Sequence, residues 1–210
     1  ISKLISKYTQ IARIFDTRNI DLTKYNYIKK LTRYYEKSLN KLVGDKFNII
    51  YNKKYPSRAW LKFYEIISNI NIIDKYKESF NSMHYCEAPG NFILSLEHFI
   101  KTKTKIKKFK WMAQSLNPKL ECKAIGDDYK LLEKYKYKWD YGIDNTGDIT
   151  NIKNIKYYSN KYKNVDLVTF DCGVNWCDDS QLAPKLLASQ IVLLLHSTDI
   201  NKNVIFKTFS

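Results

Sequence analysis

The chain has 210 residues, which is enough for one domain of ordinary size and an extension. Hydrophobic residues make up 44% of it and aromatic residues 15%, so it can build a core, and wholesale disorder is excluded. Glycine and proline are too scarce for a collagen-like or low-complexity chain. No run of about 18 apolar residues occurs, so we expect neither a membrane-spanning helix nor any other membrane partner.

Lysine and arginine number 36 against 21 aspartate and glutamate residues, which gives a formal charge of +15. A domain with this excess attracts polyanions, and nucleic acid is the first candidate. The alternative is a lysine-rich composition inherited from an AT-rich genome, because isoleucine, asparagine and tyrosine are also plentiful. Four cysteines are too few for a disulfide-rich scaffold, so a reducing compartment is the simpler interpretation.

Residues 1–45 are predicted to form a basic helical extension. Apolar and aromatic side chains recur there every three or four positions with lysine and arginine between them, and Gly44 favours an end to the helix. No linker rich in glycine or serine separates this segment from residues 46–210. We therefore expect the extension to pack on a core formed by residues 46–210.

From residue 46 onward, the pattern predicts helices and strands in alternation. Ser57 is typical of a helix N-cap, and apolar positions continue from it through Ile67. The remaining predicted elements, in chain order, are a strand and Pro-Gly turn in MHYCEAPGNF, a helix through Phe99, a basic loop leading into the strand FKWMAQSL, a helix around Tyr129–Tyr137, the loop DNTGDIT, the strand DLVTFD, the helix Gln181–Leu195 and the strand NVIFKTF.

This alternation predicts an α/β fold with a mostly parallel sheet and helices on both faces. The strands are almost continuously apolar, as they are when helices cover both faces of a sheet. Ligands of such sheets bind beyond the carboxyl ends of the strands. Residues 87–90, Asn117, Asp171 and Lys207 fall at or near predicted strand ends, so we expect them to converge on one crevice.

Four residues are candidates for chemistry at that crevice. Glu87, in CEAPGNF, suits hydroxyls or a cationic ligand, although an ordinary strand-to-helix turn would look similar, and one glycine is too few for a dinucleotide fingerprint. Asp171 is either a site carboxylate or a cap of the following turn. Lys207 lies in an otherwise apolar strand, where burying an ammonium is costly without partners. Lys62 is either a site residue or an exposed lysine of an amphipathic helix.

Several segments in this order resemble one family. AWLKFYEI, CEAPGNFILSLEHF, KWMAQSLNP, DNTGDIT, VDLVTFDCG and VIFKTF are similar to the FtsJ-like ribose 2′-O-methyltransferases over roughly residues 55–210. Within that family the segments are most similar to the Adrift-type cap-specific mRNA methyltransferases, a branch that also occurs in large DNA viruses. The resemblance implies a Rossmann-like methyltransferase fold that uses S-adenosyl-L-methionine.

The resemblance also implies the site residues. Lys62, Asp171 and Lys207 match the first three members of the family's Lys-Asp-Lys-Glu catalytic tetrad. The fourth is a glutamate on a later strand, so the last strands of the fold are expected beyond residue 210. Where the family usually has a second glycine, this chain has Asn91. The implied cofactor-binding residues are Glu87, Ala88, Pro89, Gly90, Asn91, Phe92, Asn117, Asp144, Asp148 and Asp171. Among them, Asn117 is expected at the ribose hydroxyls of the cofactor, and Asp148, or as second choice Asp144, at the amino group of its adenine.

The expected partner is RNA, most specifically capped mRNA, whose bases and cap would stack on aromatic side chains. Partner subunits of a capping machinery are a further expectation, as is a place in the host cytoplasm, a virus factory or a virion. A methyltransferase of uncapped RNA and a catalytically inactive RNA-binding or scaffold subunit are the alternatives. No metal is expected, because Cys172 and Cys177 have no second pair at metal-ligand spacing.

Overall fold

The structure is a computed structural model, and it describes residues 57–120, 126–173, 182–197 and 202–208. The predicted extension over residues 1–45 lies outside these residues. The described helices are α1 Arg58–Asn69, α2 Asn91–Lys103, α3 Leu131–Lys134, α4 Ile152–Lys161 and α5 Leu182–Ser197, and the strands are β1 Ser79–Tyr85, β2 Lys108–Gln114, β3 Trp139–Asp140, β4 Leu167–Phe170 and β5 Asn203–Phe206.

The five described strands form one sheet in the order β3-β2-β1-β4-β5. Every pairing is parallel: β1 runs beside β2 on one side and β4 on the other, β2 also pairs with β3, and β4 pairs with β5. Their carboxyl ends therefore lie at the same edge of the sheet. The predicted α/β fold with a parallel sheet is confirmed.

Helices cover both faces of this sheet. On one face, α1 and α2 pack over β1 through a core that contains Phe63, Ile67, Phe80, Leu96 and Phe99. On the other face, α4 and α5 pack over β1 and β4 through a core that contains Met83, Tyr85, Tyr158, Phe170 and Leu193. The residues of β4 and most residues of β1 are buried, which explains why these two central strands lack the regular alternation of polar and apolar residues that a half-exposed sheet shows.

The predicted elements differ from the structure in three places. The helix expected around Tyr129–Tyr137 is only one turn of α-helix, α3, followed by a 3₁₀ turn over Lys136–Lys138. Helix α4 and the two-residue strand β3 were not predicted from the sequence. Lys207, expected inside the last strand, is the residue that directly follows β5. In the described part of the chain, no helix is both long and apolar enough to cross a membrane.

Candidate active site

The parallel strands bring Asp171 and Lys207 together at the carboxyl edge of the sheet. Asp171 directly follows β4 and Lys207 directly follows β5, its neighbour. The Lys207 ammonium donates to the Asp171 carboxylate at 2.6 Å and to the Asp171 backbone carbonyl at 2.9 Å. The side chain of Asp171 is 12% exposed and that of Lys207 is 38% exposed. Two charge-assisted hydrogen bonds in a partly shielded place hold the ammonium in one position while leaving it accessible.

A second cation acts on Asp171 from helix α1. Burial raises the pKa of Asp171 above its usual value, and the hydrogen bond and charge of Lys207, together with the charge of Lys62, oppose that rise. Lys62 is exposed on α1, two positions after the buried Trp60 and next to the buried Phe63. The three predicted catalytic residues thus form one electrostatic cluster, although only Asp171 and Lys207 are hydrogen-bonded to each other.

Glu87 is buried in the turn between β1 and α2, with 1% of its surface exposed. Its Oε1 accepts hydrogen bonds from the backbone N–H groups of Phe92 at 2.7 Å and Ile93 at 3.2 Å, two of the donors that the first turn of a helix leaves open. Its Oε2 is also buried but accepts no hydrogen bond from the described residues. Burial and then the nearby Asp171 carboxylate raise the pKa of Glu87 well above its usual value.

His84 does not neutralise this carboxyl. Its Nδ1 lies 3.9 Å from Glu87 Oε2, but the ring is fully buried and exchanges hydrogen bonds with the hydroxyls of Ser82 and Thr169 instead. Burial lowers the pKa of His84 to about 3, so the imidazole is uncharged near neutral pH. Glu87 Oε2 is therefore left as a buried acceptor suited to a donor or a cation of a ligand.

Gly90 and Asn91 shape the start of α2. Gly90 has a φ of 108°, and a Cβ on it would lie 2.3 Å from a methyl carbon of Leu131, so only glycine fits there without strain. Asn91 begins the helix, and its side-chain oxygen accepts hydrogen bonds from the hydroxyls of Ser57 and Tyr129. The asparagine that replaces the family's usual second glycine thus ties the N-cap of α1 to the turn.

The remaining predicted residues of this turn are buried. Ala88 is 4% exposed and Pro89 is also buried, with a cis peptide bond between them. Phe92 stacks on Phe63 with the ring centres 4.4 Å apart, so its side chain contributes to the core between α1 and α2. The cofactor contacts of all three residues stay predictions.

A cavity of about 270 Å³ opens at the ends of β1, β2 and β4, close to the lower limit of about 300 Å³ for ligand pockets. Of the Asp171–Lys207 pair, Asp171 is the residue that lines this cavity. The other lining residues come from the end of β2, from the turns after β1, β2 and β4, from the loop after β3 and from α5: Cys86, Gln114, Ser115, Leu116, Gly147, Asp148, Ile149, Thr150, Cys172, Gly173, Leu182 and Leu186.

A disulfide bond between Cys86 and Cys172 crosses the wall of this cavity, with the two Cα atoms 4.9 Å apart. It joins the turn after β1 to the turn after β4, and those strands are neighbours in the sheet. Four cysteines in the sequence favoured a reducing compartment, in which cysteines stay reduced. The structure differs because parallel pairing of the strands aligns two cysteines that are 86 positions apart. Cys122 and Cys177 lie outside the described residues.

Of the two aspartates predicted for the adenine, Asp148 lines the cavity and Asp144 does not. Burial acts to raise the pKa of Asp144, but hydrogen bonds from Thr146, Asn154 and Asn151 outweigh it and hold the pKa at about 2. This carboxylate is committed to folding its own loop. Asp148 accepts hydrogen bonds from the backbone N–H and hydroxyl of Thr150 and still faces the cavity.

Asn117, predicted for the cofactor ribose, is 4% exposed. Its side-chain amide donates to the Asn145 carbonyl, its side-chain oxygen accepts from the Lys119 N–H, and its backbone N–H donates to the Thr146 carbonyl. It therefore fastens the chain after β2 to the DNTGDIT loop, and it is not among the cavity-lining residues. A role in binding ribose stays a prediction.

Gln114 is a site residue that sequence reasoning missed. Its side chain accepts from the Cys86 N–H at 2.9 Å and donates to the Gly147 carbonyl, and its backbone carbonyl accepts from the Glu87 N–H. It thereby joins the end of β2 to the turn after β1 and to the loop after β3, and it is fully buried. The signal was a polar residue at the end of the apolar strand FKWMAQ, the same signal that singled out Asp171.

Comparison with known proteins identifies the family. The sequence pattern of the FtsJ-like methyltransferases matches residues 55–210, which include the whole described sheet. The chain belongs to the FtsJ-like methyltransferase family. Members of this family generally use S-adenosylmethionine as the methyl donor. No solved structure matches the chain.

Several relatives of this FtsJ-like chain are viral or act on mRNA caps. An uncharacterized protein of Acanthamoeba polyphaga mimivirus is 34% identical over 96% of this chain. A cap-specific mRNA (nucleoside-2′-O-)-methyltransferase 2 of Danio rerio is 33% identical over 76% of it, and a probable methyltransferase of African swine fever virus (isolate Pig/Kenya/KEN-50/1950) is 30% identical over 79%. The chain spans 26%, 23% and 42% of the length of these three relatives.

Proposed function

We propose that this chain transfers a methyl group from S-adenosylmethionine to a ribose 2′-hydroxyl of RNA, and that its substrate is the cap-proximal part of mRNA. The observation that carries the proposal is the Lys207–Asp171 pair, which places a fixed ammonium beside the cavity at the carboxyl edge of the sheet. A ribose hydroxyl becomes a good nucleophile only as its proton leaves, and a positioned group beside it can receive that proton.

In this proposal Lys207 reacts as the neutral amine: its Nζ accepts the proton that leaves the hydroxyl, and the ammonium formed in this way is the one that Asp171 holds. Asp171 orients the ammonium through its carboxylate Oδ1 and its backbone carbonyl, which leaves part of the Lys207 side chain open to a substrate. The positive charge of Lys62 also acts on Asp171 and favours the charged carboxylate that this arrangement needs. Lys207 is the catalytic residue, and Asp171 and Lys62 position and tune it.

The residues of the cavity and of the turn between β1 and α2 beside it fit the proposed methyl donor, which would supply an electrophilic methyl group on a sulfonium when bound. Glu87 Oε2 is a buried acceptor without a donor among the described residues, and a cationic or hydroxyl group of the ligand would satisfy it. The glycine at position 90 lets a ligand approach the backbone of the turn closely. Asp148, which lines the cavity, offers a carboxylate to an amino group such as that of adenine.

The choice of capped mRNA rests on the relatives and on charge. Relatives at about one-third identity are named as cap-specific mRNA methyltransferases, and the chain carries a net charge of +15, which favours a polyanionic substrate. Partner subunits of a capping machinery belong to the same proposal.

The test is transfer of a labelled methyl group from S-adenosylmethionine to short capped RNA by the full chain. The same RNA already carrying 2′-O-methyl groups on its first two transcribed nucleotides is the substrate control. We expect incorporation that disappears on the blocked RNA. Equal incorporation into uncapped RNA would replace the cap-specific function with a general ribose methyltransferase, and RNA binding without incorporation would indicate a non-catalytic subunit.

Two lysine variants distinguish the loss of the proton-accepting group from the loss of one positive charge. Lys207→Ala is expected to abolish transfer while leaving cofactor affinity almost unchanged, because it removes the proton-accepting group. Lys202→Ala is the matched control, since Lys202 lies just before β5, at the other edge of the sheet, and makes only a long 4.0 Å ion pair with Asp166. Normal turnover by Lys207→Ala would overturn the assignment.

A further inference from the structure

Strand β2 has a free edge along its first half. Strand β3 pairs only with Ala113 and Gln114, so the preceding residues, Lys108–Met112, have no strand neighbour on that side in the described part of the chain. Free edges are usually protected by charged side chains. Here the protection is unusually basic, because Lys107, Lys108 and Lys110 are all exposed.

A depression lies on each side of this edge. The first, of about 250 Å³, is lined by residues that include Lys101, Lys107 and Tyr135, and the second, of about 480 Å³, by residues that include Lys110, Tyr137 and Lys163. Trp111 and Lys138 line both, so the two depressions adjoin at these residues. We call Lys107, Lys110, Trp111, Tyr137, Lys138 and Lys163 the β2-edge surface.

Aromatic rings and lysines are interleaved on the β2-edge surface. The Lys138 ammonium lies 4.3 Å from the centre of the Trp111 ring and 5.2 Å from that of Tyr135. Tyr137 lines the second depression, and 74% of its surface is exposed. An exposed ring in a basic setting is the combination on which the bases of single-stranded nucleic acid stack.

Three lysines of this surface have no carboxylate partner among the described residues. Glu97 is the one carboxylate among the residues lining the first depression, and it pairs with Lys101 at 2.9 Å. The second depression has no carboxylate among its lining residues. Lys107, Lys110 and Lys163 form no ion pair with a described residue. Neighbouring lysines without counter-charges produce a positive potential that a polyanion would neutralise.

The β2-edge surface lies away from the proposed catalytic pair. Lys110 is four residues before Gln114, which lines the cavity, and at about 3.3 Å per residue this is roughly 13 Å along the strand. Lys163 precedes β4, whereas Asp171 follows it. These lysines are therefore at the amino edge of the sheet and the reaction is proposed at the carboxyl edge.

We infer that the β2-edge surface binds the backbone of a single-stranded RNA segment outside the active site, with a base stacked on Tyr137. The inference rests on the proposed function in one respect, namely that RNA is the substrate. The surface anchors the body of the transcript while the cap-proximal ribose occupies the catalytic cavity. Long RNA gains affinity from this anchor, and a capped dinucleotide, which is too short to reach both places, gains none.

The experiment compares two double variants of equal charge. Lys110→Gln/Lys163→Gln changes the surface, and Lys153→Gln/Lys156→Gln is the matched control on the exposed side of α4, outside the β2-edge surface. Binding of a fluorescent single-stranded RNA, longer than the roughly 16 nucleotides that single-strand-binding folds cover, is titrated at several salt concentrations. Methyl transfer to a capped dinucleotide is measured in parallel.

Each phosphate contact adds about 0.7 to the slope of log affinity against log salt, so losing two contacts reduces the slope by about 1.4. Raising the salt from about 50 to about 200 mM weakens RNA binding by both proteins, and the fold-loss of affinity should be about seven times smaller for the surface variant than for wild type. A Tyr137→Ala variant should bind at least about fivefold more weakly, the lower end of a base-stacking contribution. The control variant should keep the wild-type slope.

Equal slope changes in the two double variants would show that overall charge acts and would overturn the inference. Unchanged affinity in the surface variant, or tighter binding of duplex than of single-stranded RNA, would also overturn it. Dinucleotide methylation should be the same in wild type and the surface variant. A wild-type protein that binds long RNA through these lysines but methylates nothing would contradict the proposed function and leave this surface assigned.

Discussion

Glu87→Gln isolates the effect of the buried carboxyl at the cofactor turn. The glutamine keeps Oε1, which accepts the hydrogen bonds from the Phe92 and Ile93 N–H groups, and it replaces the unpartnered Oε2 by a neutral NH₂ group. The substitution therefore preserves the shape of the turn and the start of α2. What it removes is the negative charge that Glu87 acquires on ionisation.

The size of the effect has a lower and an upper bound. An unsatisfied buried polar group costs about 1–3 kcal/mol, and a charged one costs more than a neutral amide. The carboxyl can instead take up a proton, and with a usual pKa of 4.5 this costs at most about 1.36 × (7 − 4.5) ≈ 3.4 kcal/mol at pH 7. We therefore expect Glu87→Gln to raise the free energy of unfolding by about 1–3 kcal/mol at pH 7, or Tm by roughly 2–12 °C.

The increase in the free energy of unfolding caused by Glu87→Gln should grow as the pH rises. Burial and the Asp171 carboxylate raise the pKa of Glu87, so above pH 4.5 the folded state binds more protons than the unfolded state. The stability of the wild type therefore falls as pH rises from about 4.5 through the raised pKa. Urea unfolding of wild type and Glu87→Gln should give similar values near pH 4 and diverge toward pH 8.

Glu133→Gln is the control, because Glu133 is 69% exposed and pairs with Lys130 on the surface. It should change stability by less than about 0.5 kcal/mol at any of these pH values. The same Glu87→Gln protein should bind S-adenosylmethionine more weakly if Oε2 serves the ligand. A Glu87→Gln protein that is less stable than wild type, or whose gain does not vary with pH, would refute the reasoning.

Three further predictions test other parts of the site. Lys62→Ala should move the acidic limb of the pH–rate profile to higher pH, because burial raises the pKa of Asp171 and Lys62 opposes that rise; an unmoved limb would contradict the cluster. Gly90→Ala should lower the free energy of unfolding by about 1–3 kcal/mol, measured in urea, because of its positive φ; wild-type stability would speak against that backbone conformation. Reduction of the Cys86–Cys172 disulfide should lower the free energy of unfolding by about 4–5 kcal/mol, as expected for opening an 86-residue loop. The Cys86→Ser/Cys172→Ser variant should be insensitive to reductant, and thermal unfolding of both proteins with and without dithiothreitol checks this.

Sequence patterns predicted the elements whose signals are local. Ser57 caps α1 as its type suggests, accepting a hydrogen bond from the Trp60 N–H at 3.0 Å. Helix α4 was missed although Asn151 caps it in the same way and Ile155 and Tyr158 recur at helical spacing. Its many lysines and asparagines hid the short apolar stripe, which is buried because α5 packs beside it.

The α/β order, the family and the turn chemistry around CEAPGNF could be predicted from the amino-acid sequence, because these depend on residues close together in the chain. Other features follow from contacts between distant segments in the folded protein. Lys207 is hydrogen-bonded to Asp171, and Cys86 forms a disulfide with Cys172. Asp144 stabilises its own loop through hydrogen bonds and does not line the cavity. These contacts depend on which strands become neighbours and in which register, and strand pairing is determined by the packing of the whole sheet rather than by any single segment.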